Sequence, residues 1–289
     1  PLIEIKKNKN LFIVNGQFLN EKKNFDIKKL KLIFANLFND IDIKKIEFSS
    51  KNNFSFNISE SLKFDNFKVQ STINLDELIV NQKNLKLKPY FPNFVDEIKL
   101  DEHEIVINYK KNKLDVKGKG KILLQDKLDN ISYQIIKDNI KLSFDSEVNL
   151  KNNSLLIDFL DYEKKEGVNS LLLIKGNFKK DNKLRFDLIN LKEKNNEISI
   201  KGLDLNKSFK IVDIENFNIN YKNKKKILNK VSLKKDNSNF VIEGESFDAS
   251  KIINNIMDND DESSSIFESL NSKINIRIKK TYIDEVNYV

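Results

Sequence analysis

The chain has 289 residues, 39% of them apolar and 33% charged, a balance that suits a thin or one-sided architecture better than a deep globular core. Cysteine is absent and histidine occurs once, which excludes disulfides and thiolate metal sites. The formal net charge is +8, yet Arg185 and Arg277 are the only arginines and the lysines are scattered. No clustered phosphate-reading surface is therefore expected, and nucleic acid is not a predicted partner; a weak attraction to anionic lipid headgroups fits at least as well.

In chain order, Leu11 to Phe18 reads as a strand closing on Gly16, followed by a polar turn around Asn20 to Asn24. Asp26 is placed to cap a helix from Ile27 to Phe38, with Leu30, Ile33, Phe34 and Leu37 as its apolar stripe. Ile46/Phe48 and Phe54/Phe56/Ile58 alternate on either side of Ser49-Ser50-Lys51-Asn52-Asn53, which predicts a hairpin turning at those polar residues. A longer strand carries Phe67, Val69, Ser71, Ile73 and Leu75 on one face. Pro89-Tyr90-Phe91-Pro92 reads as a turn. His103, within Asp101-Glu102-His103-Glu104, is expected in a solvated turn.

The middle of the chain alternates most cleanly. Ile105/Ile107/Tyr109 leads through Lys110-Lys111-Asn112 into Leu114/Val116/Gly118/Gly120/Ile122/Leu124. Ile131/Tyr133/Ile135 leads through Lys137-Asp138-Asn139 into Ile140/Leu142/Phe144/Ser146/Val148/Leu150. Leu155/Ile157/Phe159, Leu172/Ile174/Gly176/Phe178, Leu184/Phe186/Leu188, Ile198/Ile200/Gly202, Phe217/Ile219/Tyr221 and Ile274/Ile276/Ile278 follow in the same style, with Lys222 to Lys226 as a hairpin turn. Period two with Asn, Asp and Lys turns describes an antiparallel meander with one apolar face.

Near the end, Asn239 to Ile253 reads as a strand with Phe240, Ile242 and Gly244 on one face, then a helix capped by Asp248. The inner stripe of that helix is Ile252, Ile253, Ile256 and Met257. Residues 258–265 read as a flexible acidic linker. A calcium loop there fails, with Ser263 in place of the sixth-position glycine and Ser269 in place of the twelfth-position glutamate. Neither a Gly-rich phosphate loop nor a nucleophile elbow occurs, so no catalytic residue, metal ligand or cofactor is predicted. With no apolar run near 18 residues, any membrane anchor is expected outside this chain, which reads as one elongated segment of a longer protein.

One phrase, aliphatic-polar-Gly, recurs: Val14-Asn15-Gly16, Val116-Lys117-Gly118, Ile174-Lys175-Gly176, Ile200-Lys201-Gly202 and Ile242-Glu243-Gly244. Glycine inside a strand marks a bulge, a bend or a close approach, which suits a sheet that curls. About fifteen strands at ~4.8 Å spacing give an apolar face of roughly 2000 Å², far more than two short helices cover. Periodicity alone leaves two architectures open, a closed β-sandwich and an open groove.

The glycine phrases together, and the stretch from Phe240 through Phe247-Asp248-Ala249-Ser250-Lys251-Ile252-Ile253 above all, resemble the AsmA-like proteins, especially the YhdP-type branch of the bridge-like lipid transfer superfamily. The resemblance implies a long curled β-meander forming an open groove, with a few short helices. It also implies a function, the carriage of phospholipid between the inner and outer membranes of a bacterial envelope. The chain would then be periplasmic, anchored in the inner membrane by a segment outside it, with phospholipid and the two membrane surfaces as partners. The groove wall would comprise Val116, Ile122, Leu124, Ile140, Leu142, Phe144, Val148, Leu150, Ile157, Phe159, Leu172, Ile174, Phe178, Phe186, Ile198, Ile200, Phe217, Ile219, Phe240, Ile242, Ile274, Ile276 and Ile278. The alternative is a structural or adhesin-like β-domain with a closed core and no ligand.

Overall fold

A computed structural model describes residues 1–28, 42–81, 87–179, 184–237, 239–257, 273–284 and 287–289. The fold is mainly β. Its elements are β1 (Leu2–Asn8), β2 (Leu11–Asn24), β3 (Asp42–Ser59), β4 (Phe64–Asn81), β5 (Glu97–Lys110), β6 (Lys113–Leu123), β7 (Leu128–Lys137), β8 (Lys141–Asn149), β9 (Leu155–Ile157), β10 (Tyr162–Lys164), β11 (Leu171–Lys179), β12 (Leu184–Glu193), β13 (Asn196–Leu205), β14 (Ile211–Lys222), β15 (Leu228–Asp236), β16 (Asn239–Asp248), α1 (Ser250–Met257), β17 (Ile274–Ile278) and β18 (Thr281–Tyr282). Among the described residues, sixteen strands form a single sheet that runs in chain order from β1 to β8, then from β11 to β17, with β18 beside β16. β1 and β17 are its free edges, so the sheet does not close into a barrel. The sheet is mostly antiparallel, and β17 and β18 join β16 in parallel, after a connection that includes α1. β9 and β10 form a separate two-stranded ribbon.

The chain divides into two compact units. Unit 1 comprises residues 1–86 and 94–144, and unit 2 residues 87–93 and 145–289.

In unit 1 the strands are longer than their turn signals suggest. β3 is one continuous strand of 18 residues, and the expected hairpin at Ser49 to Asn53 does not form. Asn52 and Ser50 pair instead with Phe18 and Asn20 on β2 and with Ser71 and Ile73 on β4. The physical reason is that Ile46, Phe48, Ser50, Asn52, Phe54, Phe56 and Ile58 keep unbroken period two through the polar stretch, so a ladder on both sides overrides local turn preference. Ser50, Asn52 and Ser71 are buried, and the Asn52 side-chain amide donates to the Ser50 hydroxyl at 2.9 Å. β2 likewise runs through the polar stretch expected to turn, ending at Asn24. Asp26 accepts a 2.9 Å hydrogen bond from the Lys28 amide, as a helix cap does; most of the helix expected over Ile27–Phe38 lies outside the described residues.

His103 is corrected outright. It is 2% exposed within β5, where the ladder with β6 shifts register between Asp101 and Glu104. Its ring lies over Gly120, where a Cβ would come within 2.3 Å of the imidazole. The Nε2 lies 2.9 Å from the Lys121 carbonyl, and the Tyr133 hydroxyl is 3.4 Å from Nδ1. The residue was expected in water because its neighbours are charged. Alternation puts Glu104 on the other face, and Glu102, at φ +50°, bulges out of the ladder.

In unit 2 one face of the sheet is apolar and the other is charged. Arg185 bridges Asp187, Asp204 and Glu215, carboxylates on three adjacent strands. It spans Gly202, whose φ of +61° and missing side chain leave room for Glu215 to lie across the backbone. Lys230 with Glu245 and Arg277 with Glu243 extend the charged face, and Lys235, opposite Phe240 near the end of β15, pairs with Asp213. Much of the excess lysine is thus interleaved with carboxylates along the strands.

α1 is set by Asp248, 5% exposed, whose carboxylate accepts from the Ser250 amide at 3.0 Å and from the Asn223 side-chain amide at 2.8 Å. The cap expected at Asp248 is therefore present. Lys251 of α1 pairs with Asp158 at 3.1 Å, in the 3-10 turn between β9 and β10. Pro89 to Pro92 is a turn, as expected, and the Tyr90 carbonyl accepts from the Leu156 amide at 2.9 Å. The acidic stretch 258–265 lies outside the described residues.

Candidate functional site

The feature with functional content is the apolar face, and strand register shows how it is assembled. In unit 2, Leu172, Leu191, Ile198, Ile219, Val231, Gly244 and Ile278 lie side by side across seven strands. The next row is Ile174, Ile189, Ile200, Phe217, Leu233, Ile242 and Ile276. Phe186 and Phe240 join Leu203 and Ile214 in a packed cluster beside these rows. The rows are buried at their centre, with Ile198 and Ile219 at 6% and 4% exposure, and open toward the β17 edge, where Ile276 is 64% exposed.

In unit 1 the corresponding row is Ile3, Gly16, Phe54, Val69, Tyr109 and Leu114. Val116 lies in the following row with Ile107 and Ile135. Burial is graded along the strands. Leu75, Ile122 and Leu124 are buried at one end, whereas Phe64 and Phe67 are 72% and 49% exposed at the other. There the aromatic rings form a chain: Phe18 to Phe54 at 6.4 Å, Phe54 to Phe56 at 6.1 Å, Phe56 to Phe67 at 6.4 Å and Phe67 to Tyr109 at 5.9 Å. These rings were legible as strand residues but were not singled out as wall. The available signal was the alternation of Phe54, Phe56 and Ile58 in phase with Val69 and Tyr109.

Most of the residues expected in the wall lie on these strands, each within its own unit, with exceptions. Ile157 and Phe159 leave the sheet, one in the β9–β10 ribbon and the other in the 3-10 turn. Ile140 falls in the turn before β8 and is 72% exposed, because Asp138 binds the amides of Ile140 and Lys141 and ends the hairpin there. Leu142, Phe144 and Val148 lie on β8 and Leu150 just past its end, the last 0% exposed. Phe178 and Ile274 keep their strands but are 42% and 51% exposed. The alternation in β12 also changes phase: Phe186 and Ile189 pack on the same cluster, whereas Leu188 lies opposite Lys175 and Lys201.

Two shallow hollows, of about 830 and 860 Å³, mark the sheet surface. Their linings take residues of the apolar rows, such as Phe54 and Val69 or Ile219 and Val231, together with polar residues that flank those rows, such as Asn15 and Gln17 or Glu243 and Glu245. Each crosses a strand at the glycine of an aliphatic-polar-Gly phrase, Gly16 in one and Gly244 in the other. Among the described residues no group of three or more His, Asp and Glu side chains is arranged to hold a metal ion. No helix among them is long and apolar enough to cross a membrane.

Comparison with protein-family models, with curated proteins and with solved structures yields no match for this chain.

Proposed function

We propose that this chain is a lipid-carrying segment of an AsmA-like envelope protein, with the apolar face of the sheet as the wall along which phospholipid acyl chains pass. On this reading it works in the periplasm between the inner and outer membranes, held to the inner membrane by a segment outside this chain. The observation that carries the reading is the aromatic end of unit 1. Phe18, Phe64 and Phe67 stay in contact with solvent while their rings pack against Phe54, Phe56 and Tyr109, where a closed sandwich would bury them. A contiguous exposed apolar surface on a protein this rich in charge marks a place for an apolar ligand or partner. Acyl chains match it in chemistry, because aliphatic and aromatic rows offer dispersion contacts without any directional bond that would hold a lipid in place.

A second reading has one observation in its favour. In unit 2 the same face closes on a buried cluster of Leu203, Ile214 and Phe240, as a structural β-domain without ligand would require.

Photocrosslinking side chains introduced at Phe56 and Leu142, on the apolar face, and at Lys117, on the other, distinguish the two readings. The lipid reading predicts phospholipid adducts at Phe56 and Leu142 and none at Lys117. It also predicts that Phe144→Asp leaves the protein folded while reducing adducts at Leu142, since an acyl chain would have to pass a charge. An absence of adducts at every position, with Phe144→Asp unfolding the protein, favours the closed structural domain.

A further inference from the structure

β1 has β2 on one side and, among the described residues, no hydrogen-bonded neighbour on the other, and all seven of its residues are exposed. The two-residue connection Lys9-Asn10 makes Asn8 and Leu11 a bonded pair. Alternation then turns the N–H and C=O groups of Leu2, Glu4 and Lys6 toward β2 and those of Ile3, Ile5 and Lys7 outward. Such an edge is a template for another strand, and native sheets blunt it with proline, a bulge or charge. β1 contains no proline and pairs with β2 without a register shift. What it has is charge, and the charge is self-complementary.

We infer that β1 is a homodimerisation edge, at which two copies of this chain join by antiparallel pairing centred on Ile5. In that register Ile5 faces Ile5 of the second copy and exchanges both outward hydrogen bonds, and Ile3 faces Lys7. Glu4 of each copy faces Lys6 of the other. These are the non-bonded positions, where Cα atoms approach to about 4.5 Å and side chains lie closest. Within one chain Glu4 and Lys6 already reach each other at 3.0 Å, so both side chains lie on one face. Other centres lose the match: Glu4 or Lys6 at the centre opposes like charges, and Ile3 sets Glu4 against Leu2. The other free edge lacks this property. On β17 the single charge, Arg277, is engaged by Glu243 at 3.2 Å, and pairing centred on Ile276 would oppose it to Asn275. Pairing through β1 would also cover Ile3 and Ile5, now 63% and 64% exposed, and carry the row Ile5, Val14, Phe56 across a two-fold axis. The inference concerns the edge that residues 2–8 present in this 289-residue chain, and it is independent of whether the apolar face carries lipid.

Sedimentation equilibrium of the 289-residue chain up to about 100 µM tests it. The expected result is a monomer–dimer equilibrium that Glu4→Lys weakens about 10-fold or more and that the charge swap Glu4→Lys/Lys6→Glu restores. Because the chain has no cysteine, Ile5→Cys supplies one thiol, and oxidation should link it into a covalent dimer. Four results would overturn the inference: a monomer throughout, assemblies larger than a dimer, indifference to Glu4→Lys, or a swap as weak as the single change.

Discussion

His103 occupies a site that favours the neutral imidazole. Burial lowers its pKa below the ordinary histidine value, and the hydrogen bond to the Lys121 carbonyl and the charge of Asp101 offset this only in part. An unfolded chain would then take up a proton near pH 6.5 that the folded protein resists, so stability should fall as pH drops from about 7 toward 5. Carboxylates add an acid sensitivity of their own, and the informative quantity is a difference. His103→Gln, which keeps a donor for the Lys121 carbonyl, should lose less stability than the parent between these pH values, measured as urea midpoints. An equal loss in both would mean that His103 titrates normally. At this scale the sequence is least legible. Asp101-Glu102-His103-Glu104 reads as hydrophilic in one dimension, while the ladder with β4 sends His103 to the face of Leu75 and Glu104 to the other, and Glu102, at φ +50°, bulges out of both ladders. Gly120, beneath the ring, is the one local hint that something bulky crosses there.

Among elements, β3 shows why a turn-rich composition failed to make a turn. Ser49 to Asn53 contains neither glycine nor proline and carries no positive φ, and both neighbouring strands extend past it. Hydrogen exchange measures this directly. The amides of Ser50 to Asn53 should be protected to the same degree as those of Phe54 to Phe56, whereas exchange at loop rates would contradict the continuous strand. α1 is the opposite case, because its start was legible from Asp248 alone. The burial of that aspartate was not, since it depends on Asn223 and Asn229 arriving from the β14–β15 hairpin; the Asn229 side-chain carbonyl accepts from the Asp248 amide at 2.8 Å. Asp248→Ala removes the cap and leaves the Asn223 side-chain NH2 without its Asp248 acceptor, and should cost about 2–3 kcal/mol in urea unfolding. Asp248→Asn keeps an acceptor for the Ser250 amide and should cost less. Equal, negligible effects would mean that the cap carries no stability.

For the molecule as a whole, period-two alternation made the single meandering sheet and its apolar face legible, because side-chain direction in a strand follows from chain position. Departures occur where the chain leaves regular geometry. Ile157 and Phe159 belong to a separate ribbon and turn, and Leu188 is displaced by the change of phase in β12. The parallel arrival of β17 and β18 was hidden because strand direction depends on the connection and leaves alternation unchanged. The central claim is that the apolar face exists to be wetted by lipid rather than to be buried by protein. Its most direct test is mass spectrometry of lipid extracted from the protein after purification from a Gram-negative host, without detergent. The lipid reading predicts phospholipid in roughly stoichiometric amount, depleted when Phe56 and Phe67 are both changed to serine in a variant that remains folded by circular dichroism. Protein free of phospholipid, or an amount unchanged by those substitutions, would contradict it.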